Sequence, residues 1–241
     1  MEEQKKTETE RAADEKPKPL DRFELAAAVL LGLAAVGSAW ATYQGDLWGG
    51  QSSEAYGEAA TLATKASTSF GLGVTAVARD MNLDLQAKQL VLEGVTTEDP
   101  VVKQRQLTVA KYLYTRQISE DGYRALGFPP EYYTDDDDKA AAFPDELLLA
   151  GLDRELGEEY IMGMLKDGLE QFEQADGKFE GGRQANGTSD NFGFDVVLFT
   201  VSLFLAGIAL VFKTRIRWAF LGLGFVVFAG ATAYLFTIPW A

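Results

Sequence analysis

The sequence predicts an all-α membrane protein: three transmembrane helices, with an extracytoplasmic antiparallel helical bundle inserted between the first and the second. Three observations carry that expectation. Apolar runs at 25–43, 196–212 and 218–238 contain no charged side chain. Each approaches the roughly 20 residues that a helix needs to cross a hydrocarbon core. A long polar stretch separates the first two runs, and it shows neither a sustained two-residue alternation nor a pair of β-branched runs around a hairpin turn.

The tail, 1–22, mixes Lys5, Lys6, Arg11, Lys16, Lys18 and Arg22 with seven acids and holds Pro17 and Pro19. It lacks the apolar residues to form a core and is expected to be disordered. A cleaved signal peptide is the competing reading, because Ala39, Trp40 and Ala41 resemble a small-residue cleavage site. A secretory leader begins with a short, clearly positive segment, whereas Glu2, Glu3, Glu8, Glu10, Asp14, Glu15 and Asp21 stand here, so an uncleaved anchor at 23–44 is the expectation.

Charge sets the expected orientation. The turn after the second run is Lys213, Thr214, Arg215, Ile216, Arg217, with three cations and no acid, and such short loops stay on the cytoplasmic side. The organisation that follows is a cytoplasmic tail at 1–22, a first span at 23–44, an extracytoplasmic helical domain at 45–191, a second span at 192–212, a cytoplasmic loop at 213–217 and a third span at 218–240. The N-terminus is then cytoplasmic, and the large domain and the C-terminus extracytoplasmic, in a plasma (inner) membrane crossed several times. Trp40, Tyr43, Trp48, Tyr234 and Trp240 fall at the expected outer ends and Trp218 at the inner end, as interfacial aromatics do.

Within the polar stretch, Tyr56, Ala59, Ala60, Ala63, Phe70 and Val74 recur at helical intervals, so the first span is expected to run on into a helix, although Gly45, Gly49 and Gly50 leave room for a break. A second stretch, 83–92, ends at Gly94, read as a C-cap. Thr97 reads as the N-cap of a helix with Pro100 in its first turn; that helix carries Val101, Val102, Leu107, Ala110, Tyr114 and Ile118 and ends before Gly127. A last helix is expected from about Pro144 to Phe179, burying Leu152, Leu156, Ile161, Leu165, Leu169 and Phe172 and wetting Glu158, Asp167, Glu170 and Glu173.

Composition narrows the chemistry. Residues 44–195 hold 13 basic and 28 acidic side chains, a net of −15, and such a surface disfavours nucleic acid and anionic headgroups. The chain has no His and no Cys, which removes disulfides, thiolate nucleophiles, imidazole bases and ordinary zinc sites. The run Asp135–Asp138 lacks the alternating ligands and turn glycine of a calcium loop and reads as a solvated loop; whether it binds cations stays open. Neighbouring acids such as Glu98 and Asp99, Asp145 and Glu146, or Glu158 and Glu159 point about 100° apart on a helix and fit wet faces and helix N-termini. The sequence thus names no catalytic residue, no cofactor and no metal ligand.

The strongest local signal is a pair of polar and aromatic clusters, Trp40, Tyr43, Gln44 and Trp48 leaving the first span and Ser189, Asp190, Asn191 and Asp195 entering the second. They are expected to meet, as an anchoring belt that docks the two helices, as a subunit contact, or as a ligand or ion site. Small residues four apart, among them Ala34 and Ser38, Gly37 and Ala41, and Ala229 and Ala233, prepare close helix packing within or between subunits.

Trp40, Thr42, Tyr43, Gln44, Leu47, Trp48 and Gln51, followed far downstream by Asn186, Ser189, Asp190, Asn191, Phe192, Leu198, Phe199, Gly207 and Ile208, resemble an uncharacterised family of prokaryotic three-span membrane proteins. The resemblance covers the membrane halves and does not reach Leu126–Pro144. It implies three spans with an extracytoplasmic helical segment, and no mechanism. The expected function is a non-enzymatic structural or protein-interaction module of the cell envelope, meeting the lipid bilayer and either a second copy or an envelope protein. The alternatives are a homo-oligomeric channel or transporter component, and an enzyme acting on envelope lipid or peptide.

Overall fold

The structure, a computed structural model, describes residues 21–241, so nearly all of the tail expected to be disordered lies outside the described residues. Every regular element among the described residues is helical. Helix α1 spans Arg22–Thr96, and no proline interrupts it. The glycines expected to permit a break do not make one. A Cβ on Gly45 would lie 3.3 Å from Phe192, and one on Gly49 3.5 Å from the Ser189 hydroxyl, so both serve the close approach of another helix.

Two caps differ from the sequence reading. Helix α1 passes through Gly94, whose missing side chain makes room for Leu107, 3.2 Å from where a Cβ would stand. Helix α2, Pro100–Tyr112, is capped by Asp99, which accepts from the backbone N–H of Val101 and Val102; Thr97 instead accepts from Asp99 N–H. Val101 and Val102 face water, and Leu107, Ala110, Tyr114 and Ile118 face the core.

The helix expected to continue toward Gly127 comes in pieces. A π-turn occupies Leu113–Gln117, Ile118 is extended, and α3 restarts at Glu120–Ala125 behind the Ser119 cap. The cause is Asp80 on α1, whose carboxylate accepts both the backbone N–H and the hydroxyl of Ser119 and holds that residue out of a helix. Gly127, at φ 68°, closes the segment in a conformation that costs glycine little. A 3₁₀ turn, Pro130–Tyr132, leads to α4, Asp137–Ala141. The acidic run is therefore part of a short helix. Asp136 caps it, and Asp137 and Asp138 occupy the first turn, where the helix dipole favours acids.

The expected helix from 144 to 179 is also divided. Helix α5, Asp145–Gly151, stops, and α6, Glu158–Val211, begins after a loop. The loop residue Arg154 explains the interruption: its guanidinium donates to the carbonyls of Leu126 and Gly127 and stacks 4.9 Å over the Phe128 ring, while its own carbonyl accepts from Lys88. Leu169, expected inside, is exposed, because its neighbour Gly168 occupies the seam against Phe70. Helix α7 is Ile216–Leu235. Helices α1, α6 and α7 each contain a stretch long and apolar enough to cross a membrane.

The chain separates into two compact units, one of Tyr56–Phe179 and one of Glu180–Ala241 with the described part of Met1–Ala55. In the Tyr56–Phe179 unit, α1 and α6 run antiparallel: Phe70 meets Phe172 edge-on, Ser69 reaches Gln171, and Glu58 pairs with Lys178. Along α1 the buried residues Ala59, Ala66, Gly73, Asp80, Ala87 and Gly94 stand seven apart, the spacing of a left-handed coiled pair. Small residues there bring the backbones together. The rest of this core mixes aliphatic residues such as Val91, Leu107, Ile118 and Leu148 with an aromatic group in which Tyr114, Tyr123 and Phe143 each meet the Phe128 ring at 4.9 to 5.4 Å.

In the other unit, α6 pairs antiparallel with the start of α1, through Phe192 on Gly45 and Phe199 on Gly37. Helix α7 fits beside both, with Phe228 against Phe199, Gly224 against Leu30, and Trp218 edge-on to Phe23. Arg217 at the α7 start pairs with Asp21 and lies over the Phe23 ring.

The seam makes a sharp prediction within the Tyr56–Phe179 unit. A Cβ on Gly73 would meet the Met164 carbonyl at 2.3 Å, and one on Gly168 the Phe70 backbone at 2.7 Å. Gly73→Ala and Gly168→Ala should each destabilise this unit by about 1–3 kcal/mol, as overpacking does. Gly57→Ala, with nothing within 4 Å, should stabilise it by up to about 1 kcal/mol through helix propensity alone. Denaturant unfolding followed by circular dichroism reads both signs, and the same sign for all three would refute the seam.

Candidate functional site

The residues expected to form a junction all belong to the Glu180–Ala241 unit and its α1 segment. The structure gives most of these residues partners outside their own set, in the α1 backbone and in residues 239–241. Ser189 donates its hydroxyl to the Gly45 carbonyl at 2.9 Å, tying α6 to α1. The Gln44 amide oxygen, in a nearly buried side chain, accepts from the backbone N–H of Ala241, also at 2.9 Å. The Trp48 indole N–H donates to the Pro239 carbonyl at 3.0 Å, and its ring packs against the cluster that contains Phe192 and Ile238.

Trp40 and Tyr43 form an exposed aromatic edge. Their rings lie 5.9 Å apart, and Trp40 stands 5.8 Å from Trp240, which in turn meets Phe236. Asn191 and Asp190 are exposed, and Asp190 accepts from Asn186 one turn earlier. Asp195 differs from all of these. Its side chain is completely buried, and neither carboxyl oxygen has a hydrogen-bond partner. Just past it, Leu33, Gly37, Trp40, Phe199, Phe228 and Trp240 are among the residues that line an apolar groove.

No protein-family model, no curated protein and no solved structure matches this chain.

The Tyr56–Phe179 unit contains a second polar constellation, which the sequence analysis did not single out. Asp80 and Asp84, one turn apart on α1, are both buried. Asp80 accepts three bonds: from the N–H and hydroxyl of Ser119, and from the Tyr160 hydroxyl at 2.6 Å. Asp84 accepts from the Tyr114 hydroxyl at 2.8 Å and pairs with Lys88 at 2.8 Å. Gly122 leaves space for the Asp80 carboxylate, since a Cβ there would come within 2.6 Å of it. One signal for this network was present in the sequence: Asp80 continues the seven-residue series of small residues, and a charge in a core register position requires partners.

Burial first, and then the neighbouring carboxylates, push up both tyrosines that serve this network. Tyr160 rises to about 12, and Tyr114 rises further. Tyr123, at the centre of the aromatic core, is raised for the same leading reason and donates to the Pro129 carbonyl. Beside Tyr160, an open groove is lined by Asp121, Arg124, Glu155 and Glu159, and Arg124 pairs with Glu120. Tyr160 directs its hydroxyl to Asp80, away from nucleophilic use. The constellation fastens the irregular segment 113–160 to α1.

The tyrosine shift has a readable sign. A phenol whose folded value lies above its ordinary value near 10 is stabilising while neutral, and that contribution is lost as pH climbs through the folded value. The unit should therefore lose stability between about pH 10 and about pH 12, with Tyr160 ionising only near the upper limit. Tyr160→Phe should remove one late step from the tyrosinate absorbance titration and shrink the alkaline loss. An unchanged titration in that variant would show that Tyr160 is not the late group.

Proposed function

We propose that this protein is a three-span integral protein of the plasma (inner) membrane, whose Tyr56–Phe179 unit lies on the extracytoplasmic side as a non-enzymatic module for structural or protein–protein contacts. The observation that carries the reading is the set of three apolar helices with the cationic turn 213–217 between the last two. Short cationic loops are retained in the cytoplasm, which assigns the large unit to the opposite face. The polar side chains of that unit support the rest. Asp80, Asp84, Lys88, Arg116 and Arg154 all bond within the unit, bracing its form. The partners are then the bilayer and either a second copy or an envelope protein.

A second reading, a channel or transporter component, has one observation in its favour. Asp195 is an ionisable group buried among apolar helices, and such residues in membrane spans commonly mark ion or proton paths.

The topology is testable with reporters. One joined after Trp240, or inserted near 135–138, should be extracytoplasmic, and one inserted at 213–217 cytoplasmic. Finding the 135–138 insertion in the cytoplasm would overturn the reading. Mass measurement of the detergent-solubilised protein bears on the partner: a defined homo-oligomer points to a second copy, and a monomer to a different envelope protein.

A further inference from the structure

The carboxyl group of Asp195 is the one described polar side chain in its unit that is fully buried with both oxygens unpartnered. Its level in the helix pair is bracketed. About one turn before it Phe192 packs on Gly45, and one turn after it Phe199 closes over Gly37. Midway between those two glycines stands Ala41, itself completely buried and able to offer only a methyl group. Of the other buried polar groups of this unit, Gln44 bonds with Ala241 and Ser202 with the Gly224 carbonyl, and Ser52 stands about three turns along α1 from Ala41.

The charged and titratable groups nearby supply no counter-ion. Helix α1 brings Tyr43 and Asp46, both exposed; α7 brings Tyr234; α6 itself brings Asp190, already bonded to Asn186. Lys and Arg are absent from 23–55, 184–212 and 218–241. The nearest cation on α6, Arg183, lies three turns away and pairs with Glu180. An unpaired carboxylate in such surroundings is strongly disfavoured and does not persist. A hard metal ion would demand about six oxygens, and no cluster of three acidic side chains exists among the described residues. A proton needs no further ligand.

We propose that Asp195 is a proton-binding site, a carboxylic acid kept neutral in the seam of α1 and α6. Its proton comes from, and returns to, water at the end of the helices where Trp40, Trp48 and Trp240 gather. Binding converts the carboxylate and one proton to the acid, with no other reactant. Release leaves a bare charge against Ala41, Phe192 and Phe199, which is relieved only if α1 and α6 part enough to admit water. Proton occupancy therefore closes this seam, and its loss opens it. The inference goes beyond the envelope-module reading and stands on the burial of one side chain.

Infrared spectroscopy of the full chain in detergent or nanodiscs tests it directly. At neutral pH the wild type should show the C=O stretch of a protonated carboxyl, shifted in heavy water, and Asp195→Asn should lack that band. Helix unfolding temperature should fall for wild type as the buffer moves from acid to alkaline, and Asp195→Asn should flatten the low-pH part of that fall. The topology of the chain does not affect either readout. No protonated band in the wild type, or an unchanged band in Asp195→Asn, overturns the proposal. So does stabilisation by sodium or potassium that Asp195→Asn abolishes, which would make the site a metal-cation site. Should Asp195→Asn fail to assemble, titration of the wild-type band decides: its disappearance together with helix stability supports the site, and its absence at every pH refutes it.

Discussion

Close approach of two long helices is the constraint on which the rest of this structure depends. Helices whose axes come near one another need small side chains wherever the backbones meet, and the seven-residue repeat of Ala59, Ala66, Gly73, Asp80, Ala87 and Gly94 supplies them on one face of α1. The facing residues on α6 reciprocate with Gly168 and Ala175. At Gly73 and Gly168 backbone atoms of the partner stand where a Cβ would be, so these contacts allow no larger residue without movement. In the Glu180–Ala241 unit the same device recurs with Gly37 and Gly45 under Phe199 and Phe192. There the interhelical hydrogen bond from Ser189 to Gly45 adds to the dispersion contacts of the close approach.

Close packing leaves little room for polar groups, and the two units treat theirs differently. Asp80 sits in the seam itself, yet it receives three donors, and the chain deforms to deliver them: a π-turn, an extended Ile118 and a restarted helix all place Ser119 against that carboxylate. A hydrogen bond to a charged group contributes roughly 1.5–3 kcal/mol, so three of them offset much of the penalty of burying the charge. Arg154 does the same for the bare carbonyls of Leu126 and Gly127 after α3. Asp195 has no such escort. Its helix continues undisturbed on both sides, and among the described residues no side chain bonds to it.

The parts of the fold that were legible in the sequence are those governed by one-dimensional patterns. The three apolar helices follow from run length and absence of charge, and helical character throughout follows from spacing and the absence of strand signals. Breaks in the helices of the polar stretch were not legible, because their causes lie far away along the chain. Thr97 and Asp99 are both good caps, and only the arrival of Leu107 at Gly94 settles where α2 must turn back. Nothing local in Leu152–Gly157 announces that Arg154 is needed at Gly127, and nothing local near Ser119 announces Asp80. Of the candidate junction, the polar identities were visible but their partners were not. Gln44 and Trp48 bond to Ala241 and Pro239, almost two hundred residues distant.

That contrast between satisfied and unsatisfied burial says where activity is to be sought. A carboxylate surrounded by donors, such as Asp80, is fixed in one geometry by the three bonds it accepts. A carboxyl group with no partner has two states of different charge and no structure committed to either, so its surroundings must respond when the state changes. Asp195 lies on the interior face of α6, between two aromatic residues that each press on a glycine of α1. Those contacts are the ones that a change of charge would strain first. Among the described residues, the buried carboxylates of the Tyr56–Phe179 unit are held by donors, whereas Asp195 in the apolar helices is held by none.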